Sequence, residues 1–377
     1  MSASYKSLPF DVPTYLAGVR RWVECESPSW DGEAVSRMTA LAAEELRASG
    51  AVTQHIPGRM GFGDCVFADF SPEDKRPGIL VLGHLDTVHP IGSLVSRMPW
   101  KEEDGRCYGP GLYDMKGGNY LALTAYRELR KAGITLNLPV RFLLTSDEEQ
   151  GSPSTRELIE HHAAREKYVL VPEGAEPNGR LVTGRYPTRR FQLWVHGKET
   201  HAFLQREDGK SAIIAMAKAL VNIDGLTGPE CSYTPIYLEA GLKIASVPVS
   251  AYAEISSTAK EDRLLEEAFQ KLHHVIDEPG ITAEVRIKAA RPTWTPGPQD
   301  EEIWQVARGV GEELGIALDH EMLFGGSDGN ITGAIGIATL DALGPVGANA
   351  HQVTESIDLA SIAPRGRLLA GLMATLK

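Results

Sequence analysis

Short apolar runs that stop abruptly in polar residues alternate along this chain with longer stretches of helical apolar spacing. Ile79-Leu-Val-Leu82 is one such run, bounded by Pro77-Gly78 and by Gly83. A continuous apolar run of this length is how a strand buried on both faces of a sheet reads. Val140 to Leu144 and Tyr168 to Val171 repeat the pattern, and Cys65 to Phe70 is a further candidate strand. Apolar residues at helical spacing predict helices over Val12 to Val23, Glu33 to Ser49, Asn119 to Ala132 and Thr155 to Glu166. Strands alternating with helices imply an α/β domain with helices on both faces of its sheet.

The texture changes near Arg180 to Arg185. Arg189 to His196 alternates, with Phe191, Leu193 and Val195 on one face. A helix over Ser211 to Ile223, a strand near Val247 to Ile255, a helix over Glu261 to Ile276 and a strand over Ile281 to Ala290 follow. The β-α-β-β-α-β-like order suggests an inserted α+β, ferredoxin-like module. Pro292 to Pro298 reads as the return linker. The helix Glu301 to Leu314, a turn over Gly325 to Asn330, a strand near Ile335 to Leu340 and a closing helix Ser361 to Leu376 resume the first domain. The expected division is residues 1–182 and 292–377 for a mixed-sheet domain and 183–291 for the insertion.

The polar strand ends carry the candidate chemistry, because ligands of open α/β sheets collect at the carboxyl ends of strands. His84 and Asp86 alternate about Leu85, so both side chains point the same way in extended backbone. A metal-bound His usually donates its other ring N–H to a carboxylate, and Asp86 is well placed to receive it. Alone, the stretch fits equally well a surface His beside an Asp-Thr turn. After the second strand come three acids, Asp147-Glu148-Glu149. Buried together they would repel, so they are either a solvated charge run or neighbours of a cation. Glu173 follows the third strand. Asp114 stands in a glycine-rich loop, Gly105 to Gly118, that matches neither G-x-G-x-x-G nor G-x-x-x-x-G-K-[ST]. With His351 in Gly347-Ala-Asn-Ala-His351, five potential ligands stand at loops: His84, Asp114, Glu149, Glu173 and His351. Two imidazoles and three carboxylates suit zinc, or cobalt or manganese.

With these residues in order the chain resembles the M20 metallopeptidases, of the carboxypeptidase G2 type. The resemblance rests on Gly83-His-Leu-Asp-Thr-Val88, Gly109-Pro-Gly-Leu-Tyr-Asp-Met-Lys-Gly-Gly118, Asp147-Glu-Glu-Gln-Gly-Ser152, Pro172-Glu173, Thr200-His-Ala202, Arg291-Pro292 and Gly325-Gly-Ser-Asp328. It implies two divalent ions, with Asp114 bridging, His84 and Glu173 completing one site, and Glu149 and His351 the other. It further implies that Asp86 orients His84 and that Glu148 is the general base acting on a metal-bridging water. His201 would come from a lid domain to stabilise the oxyanion in the partner subunit of a homodimer. Arg291, Gly326 and Ser327 would contact substrate. The activity implied is hydrolysis of a peptide or N-acyl C–N bond. An amidohydrolase or deacylase of unusual, non-glutamate substrates is the alternative to a carboxypeptidase, and a non-catalytic binding protein is opposed by the complete ligand set.

Departures from the family pattern cluster in the insertion. Ala245 stands where an Asn is expected, Ser256-Ser-Thr258 where Asp-x-Arg is expected, and Pro187 where Gly is more usual. Arg291 is then the remaining anchor for a substrate carboxylate, unless Arg185 or Arg189 compensates.

Composition adds exclusions. At 377 residues the chain exceeds what one core normally serves, in keeping with two domains. A formal net charge of −12 without a basic block opposes nucleic acid or an anionic membrane as partner. Met1 to Phe10 lacks a basic, then apolar, leader, and four scattered cysteines form no metal or disulfide spacing, so a cytoplasmic, reducing compartment is expected.

Overall fold

The computed structural model describes residues 4–241 and 245–377, so the first three residues of the Met1–Phe10 stretch lie outside it. The chain divides into two compact units. One comprises Met1–Gly184, Trp294–Leu323 and Ser327–Lys377; the other comprises Arg185–Thr293 and Phe324–Gly326.

The first unit is built on a six-stranded mixed sheet. Its order is Val52–Ile56, Cys65–Asp69, Val140–Thr145, Ile79–His84, Tyr168–Leu170, Ala338–Leu340. The last four run parallel and the first two are antiparallel additions at one edge. Alternation within the apolar runs serves both faces. Ile79 and Val81 join Val140, Phe142 and Leu144 in the larger core, under the helices Val12–Glu24, Gly32–Ala48, Gly117–Lys131, Pro298–Leu314 and Ile362–Thr375. Leu80 and Leu82 point the other way, against Ile159 and Ala163 of the helix Arg156–Ala163 and Ile331 of the helix Gly329–Ala334. The parallel strands all end on the same side, which is where the polar residues begin.

Several elements differ from the sequence reading. Val52–Ile56 is a strand that the sequence did not signal, because its Thr, Gln and His lie on an edge with little burial. Pro298, assigned above to a linker, opens the helix Pro298–Leu314 instead; Gly297 N–H donates to the Asp300 carboxylate at 2.8 Å, and proline at the first helical position loses nothing. The expected strand near Ile335 is confined to Ala338–Leu340, since Gly329–Ala334 forms a helix that closes through Gly336 at φ 82°.

In the second unit four antiparallel strands take the order Cys231–Ala240, Ser250–Ala259, Thr188–His196, Thr282–Arg291. The helices Ala212–Asp224 and Asp262–His273 supply Ala215, Met216, Ala268 and Leu272 to a core with Phe191, Leu193 and Val195. The chain order is β-α-β-β-α-β, the ferredoxin-like plan. Its second strand, Cys231–Ala240, was missed because Pro235 interrupts it; proline is tolerated here as the strand is at the edge and the register shifts between Pro235 and Tyr237.

Candidate active site

Three strand ends and two loops of the first unit bring the acids and imidazoles together. Gly83 lacks a side chain for a reason of space: a Cβ there would lie 1.9 Å from Asn119 Oδ1. Asn119 can therefore reach across and donate to the His84 carbonyl at 2.7 Å. Gly118 plays the same part at the head of its helix, where a Cβ would lie 1.7 Å from the Pro172 carbonyl, next to Glu173. The Gly111 turn has φ 68° and leads into Asp114, whose peptide bond to Met115 is cis.

Asp114 is the centre of the arrangement. Its Oδ1 lies 3.1 Å from His84 Nε2 and its Oδ2 lies 3.1 Å from His351 Nε2. Glu173 Oε1 stands on the first side, 3.7 Å from His84 Nε2, and Glu149 Oε2 on the second, 3.0 Å from His351 Nε2. Glu148 Oε2 is 3.9 Å from His84 Nε2. One ligand atom each from His84, Asp114 and Glu149 fall within 4.8 Å of one another. His351 reaches in from a half-exposed turn with φ 65°, a left-handed backbone that L residues adopt at a cost and that clusters at functional sites.

Asp86 differs in detail from its expected part. His84 Nδ1 is 2.9 Å from the Asp86 carbonyl and 3.4 Å from its carboxylate, so the backbone oxygen makes the closer contact. The Asp86 carboxylate accepts instead from Glu148 N–H and Glu149 N–H, at 3.2 Å each, and from Ser29 Oγ–H at 2.7 Å. It thus fixes the turn that carries both glutamates. Nothing local in the sequence ties Ser29 to a position 57 residues away.

Protonation of the protein-only cluster follows from burial and crowding. Burial would raise Asp114, but its hydrogen bonds to His351 and His84 outweigh that and hold it well below the usual carboxylate range. Burial and the Asp114 charge push Glu149 up to about 8 and carry Glu173 well above its ordinary value. Burial opposes a charged His84, yet its bonds to Asp114 and Asp86 raise it well above an ordinary imidazole. Contacts with Asp114 and Glu149 raise His351 to about 11. These directions favour protons on Glu149, Glu173 and both imidazoles, which would neutralise the crowded carboxylates. Divalent cations would perform that neutralisation through the same atoms and displace the protons, which is how metal uptake couples to pKa. The donor set of imidazole and carboxylate, sorted to either side of Asp114, fits two such ions.

Of the remaining expected site residues, Ser327 belongs to the first unit, and Gly326, Arg291 and His201 belong to the second. Ser327, expected to contact substrate, is buried with its hydroxyl spent in its own turn: Oγ–H donates to Asp341 at 2.6 Å and Oγ accepts from Gly329 N–H at 3.0 Å. Gly326 and Arg291 pack together in the second unit, where a Cβ on Gly326 would meet the Arg291 Cδ at 2.6 Å. His201 is exposed on that unit, and its Nδ1 accepts from Phe203 N–H and Leu204 N–H at 3.3 and 3.2 Å. No helix among the described residues is long and apolar enough to cross a membrane.

Comparison with known proteins agrees with this geometry. Residues 80–375 match the peptidase family M20/M25/M40. The chain is 25% identical over 378 residues to carboxypeptidase G2 of Pseudomonas sp. (strain RS-16), covering 97% of this chain and 89% of that protein. It is 27% identical over 310 residues to succinyl-diaminopimelate desuccinylase of Acidovorax ebreus (strain TPSY), covering 76% of this chain and 77% of that protein. Human carnosine dipeptidase 1 shares the fold with a TM-score of 0.79 at 15% identity, over 98% of each chain. The chain belongs to peptidase family M20/M25/M40 and is a metal-dependent hydrolase of amide bonds.

Proposed function

We propose that this enzyme hydrolyses the amide bond of a small N-acyl or peptide substrate, with Glu148 moving the proton and His84, Asp114, Glu149, Glu173 and His351 holding two divalent ions, zinc by donor chemistry. The observation that carries the reading is the Asp114 carboxylate, with one oxygen toward His84 and the other toward His351, at 3.1 Å each. Bound divalent ions would supply Lewis-acid polarisation of the scissile carbonyl and a water acidic enough to lose its proton near neutral pH. Glu148 takes that proton and returns it to the leaving nitrogen, acting as base and then as acid. Its backbone is clamped to Asp86, so the neighbouring Glu149 can face His351 while Glu148 stays available for proton transfer.

His201 accepts two backbone N–H groups at Nδ1, which puts its proton on Nε2 and leaves a donor suited to an oxyanion. We assign it that role across a homodimer formed by the second unit, which would serve as lid and dimerisation domain. Support comes from its apolar exposure: Val221 is 73% exposed on the helix Ala212–Asp224, and Tyr237 is 49% exposed on the edge strand. Light scattering on the full chain is expected to read a dimer; a monomer with full activity would remove both assignments.

Substrate preference follows from the departures in the second unit. Ala245 has φ 62°, a conformation for which Asn is better suited than Ala. Thr258 Oγ–H donates to the Pro187 carbonyl at 3.0 Å and so is not offered to a ligand. Arg185 donates to the Gly325 carbonyl and Arg189 pairs with Glu266, both at 3.0 Å. A hydrogen bond to a charged group is worth ~1.5–3 kcal/mol, so two missing donors cost an anionic side chain much of its affinity. An N-acyl-glutamate is therefore expected to be a poorer substrate than the matching N-acyl amino acid without the side-chain carboxylate. Steady-state kinetics on that pair and on the α-amide tests this. The highest kcat/KM on the glutamate would restore the glutamate carboxypeptidase reading.

A further inference from the structure

Two buried side chains beside the Asp114 loop, Glu355 and His89, have no part in the chemistry above. Glu355 is 1% exposed and His89 4%. One oxygen of Glu355, Oε1, accepts from two consecutive backbone N–H groups, Tyr113 at 2.9 Å and Asp114 at 3.2 Å. The other, Oε2, lies 2.6 Å from His89 Nε2. A carboxylate with this many partners in a buried place is strongly held, and the bonds to a charged acceptor are the strong kind.

The partners come from three separate parts of the chain, each of which also carries a candidate ligand. His89 follows His84 by five residues, Tyr113 precedes Asp114, and Glu355 follows His351 by four. Glu355 also stands directly before the strand Ser356–Asp358, which pairs with Arg106–Tyr108 at the entry to the Asp114 loop. Two successive N–H groups drawn to one oxygen fix the peptide units on either side of the Tyr113 Cα, the second of which leads directly into the Asp114 Cα. The carboxylate of Asp114 is thereby turned so that its two oxygens face His84 and His351.

We propose that Glu355, held in place by His89, is a positioning residue that aims Asp114 and so sets the relation between the two halves of the metal centre. The inference rests on the metal-centre reading given above. Groups that orient ligands from behind typically cost ~10–100-fold in metal affinity or activity when removed. Glu355→Ala removes the acceptor for both N–H groups, whereas Glu355→Gln keeps one oxygen for them and can still meet His89 through its amide.

The test uses the full-length protein loaded with cobalt(II), whose visible absorption reports ligand geometry, together with chelator competition for affinity. Melting of the metal-free protein provides the structural control. Glu355→Ala is expected to lower metal affinity by ~10–100-fold and to alter the cobalt spectrum, with partial rescue in Glu355→Gln. A merely structural role would lower the metal-free melting temperature and leave the spectrum and affinity of the folded protein unchanged, and that result overturns the proposal. If Glu355→Ala gives no folded protein, His89→Phe is read by the same two measurements with the same criteria. A wild-type protein that takes up no cobalt would remove the metal-centre reading and this inference with it. Variants unchanged against a loaded wild type would remove the inference alone.

Discussion

Glu148→Gln is expected to fold, to keep its metal and to lose ~10²–10⁴-fold or more in kcat, the range that general acid–base catalysis contributes. Glutamine is nearly the same shape but can neither take a proton from water nor return one to the leaving nitrogen. The substitution leaves the scaffold alone, because position 148 is held through its backbone N–H on Asp86, and Glu149 keeps its own bond there and its 3.0 Å contact with His351. The loss should fall on kcat rather than KM, since the interaction is made in the transition state. Steady-state kinetics on a folded, metal-loaded variant decides it. A near-normal kcat would show that another residue moves the proton.

Removal of divalent ions is expected to have an effect at least as large. Exhaustive chelation should take turnover down by ~10³-fold or more, because several kcal/mol of charge stabilisation are lost and each ~1.4 kcal/mol is a decade in rate. The protein itself should stay folded, since its cores are apolar and packed without the site. The stripped cluster can neutralise itself by taking up protons on Glu149, Glu173 and both imidazoles, for the reasons of burial and crowding given above. Activity should return on adding back zinc, cobalt or manganese. Circular dichroism before and after chelation, with assays at each stage, checks both halves. Loss of activity through unfolding would instead mark the ions as structural.

The residues legible from sequence were those at places where an apolar run stops. His84, Glu149 and Glu173 each follow a buried parallel strand, and the change from apolar to acidic needs no partner to be seen. Asp114 and His351 could be named as loop residues of the right type, but their meeting depends on contacts across the whole first unit. Glu355, His89, Ser29 and Asn119 stayed hidden for the same reason. The bond between His89 and Glu355 spans 266 residues, and no spacing rule predicts such a pairing. Two of the strands missed, Val52–Ile56 and Cys231–Ala240, are edge strands, whose polar residues or internal proline are what an edge position allows. The segment Phe324–Gly326 groups with the second unit although it lies outside the insertion in sequence: Tyr186 and Phe324 stack at 4.2 Å, a contact between residues 138 positions apart that local pattern does not encode.

On the proposed mechanism one carboxylate, Asp114, is shared by two metal ions. Elemental analysis of the purified full-length chain, compared with Asp114→Asn, tests it most directly. Two divalent ions are expected per wild-type chain, with the loss of both, or a sharp fall in affinity for both, in the variant. A wild-type chain that holds no metal, or a variant that keeps two ions as tightly as the wild type, would contradict it.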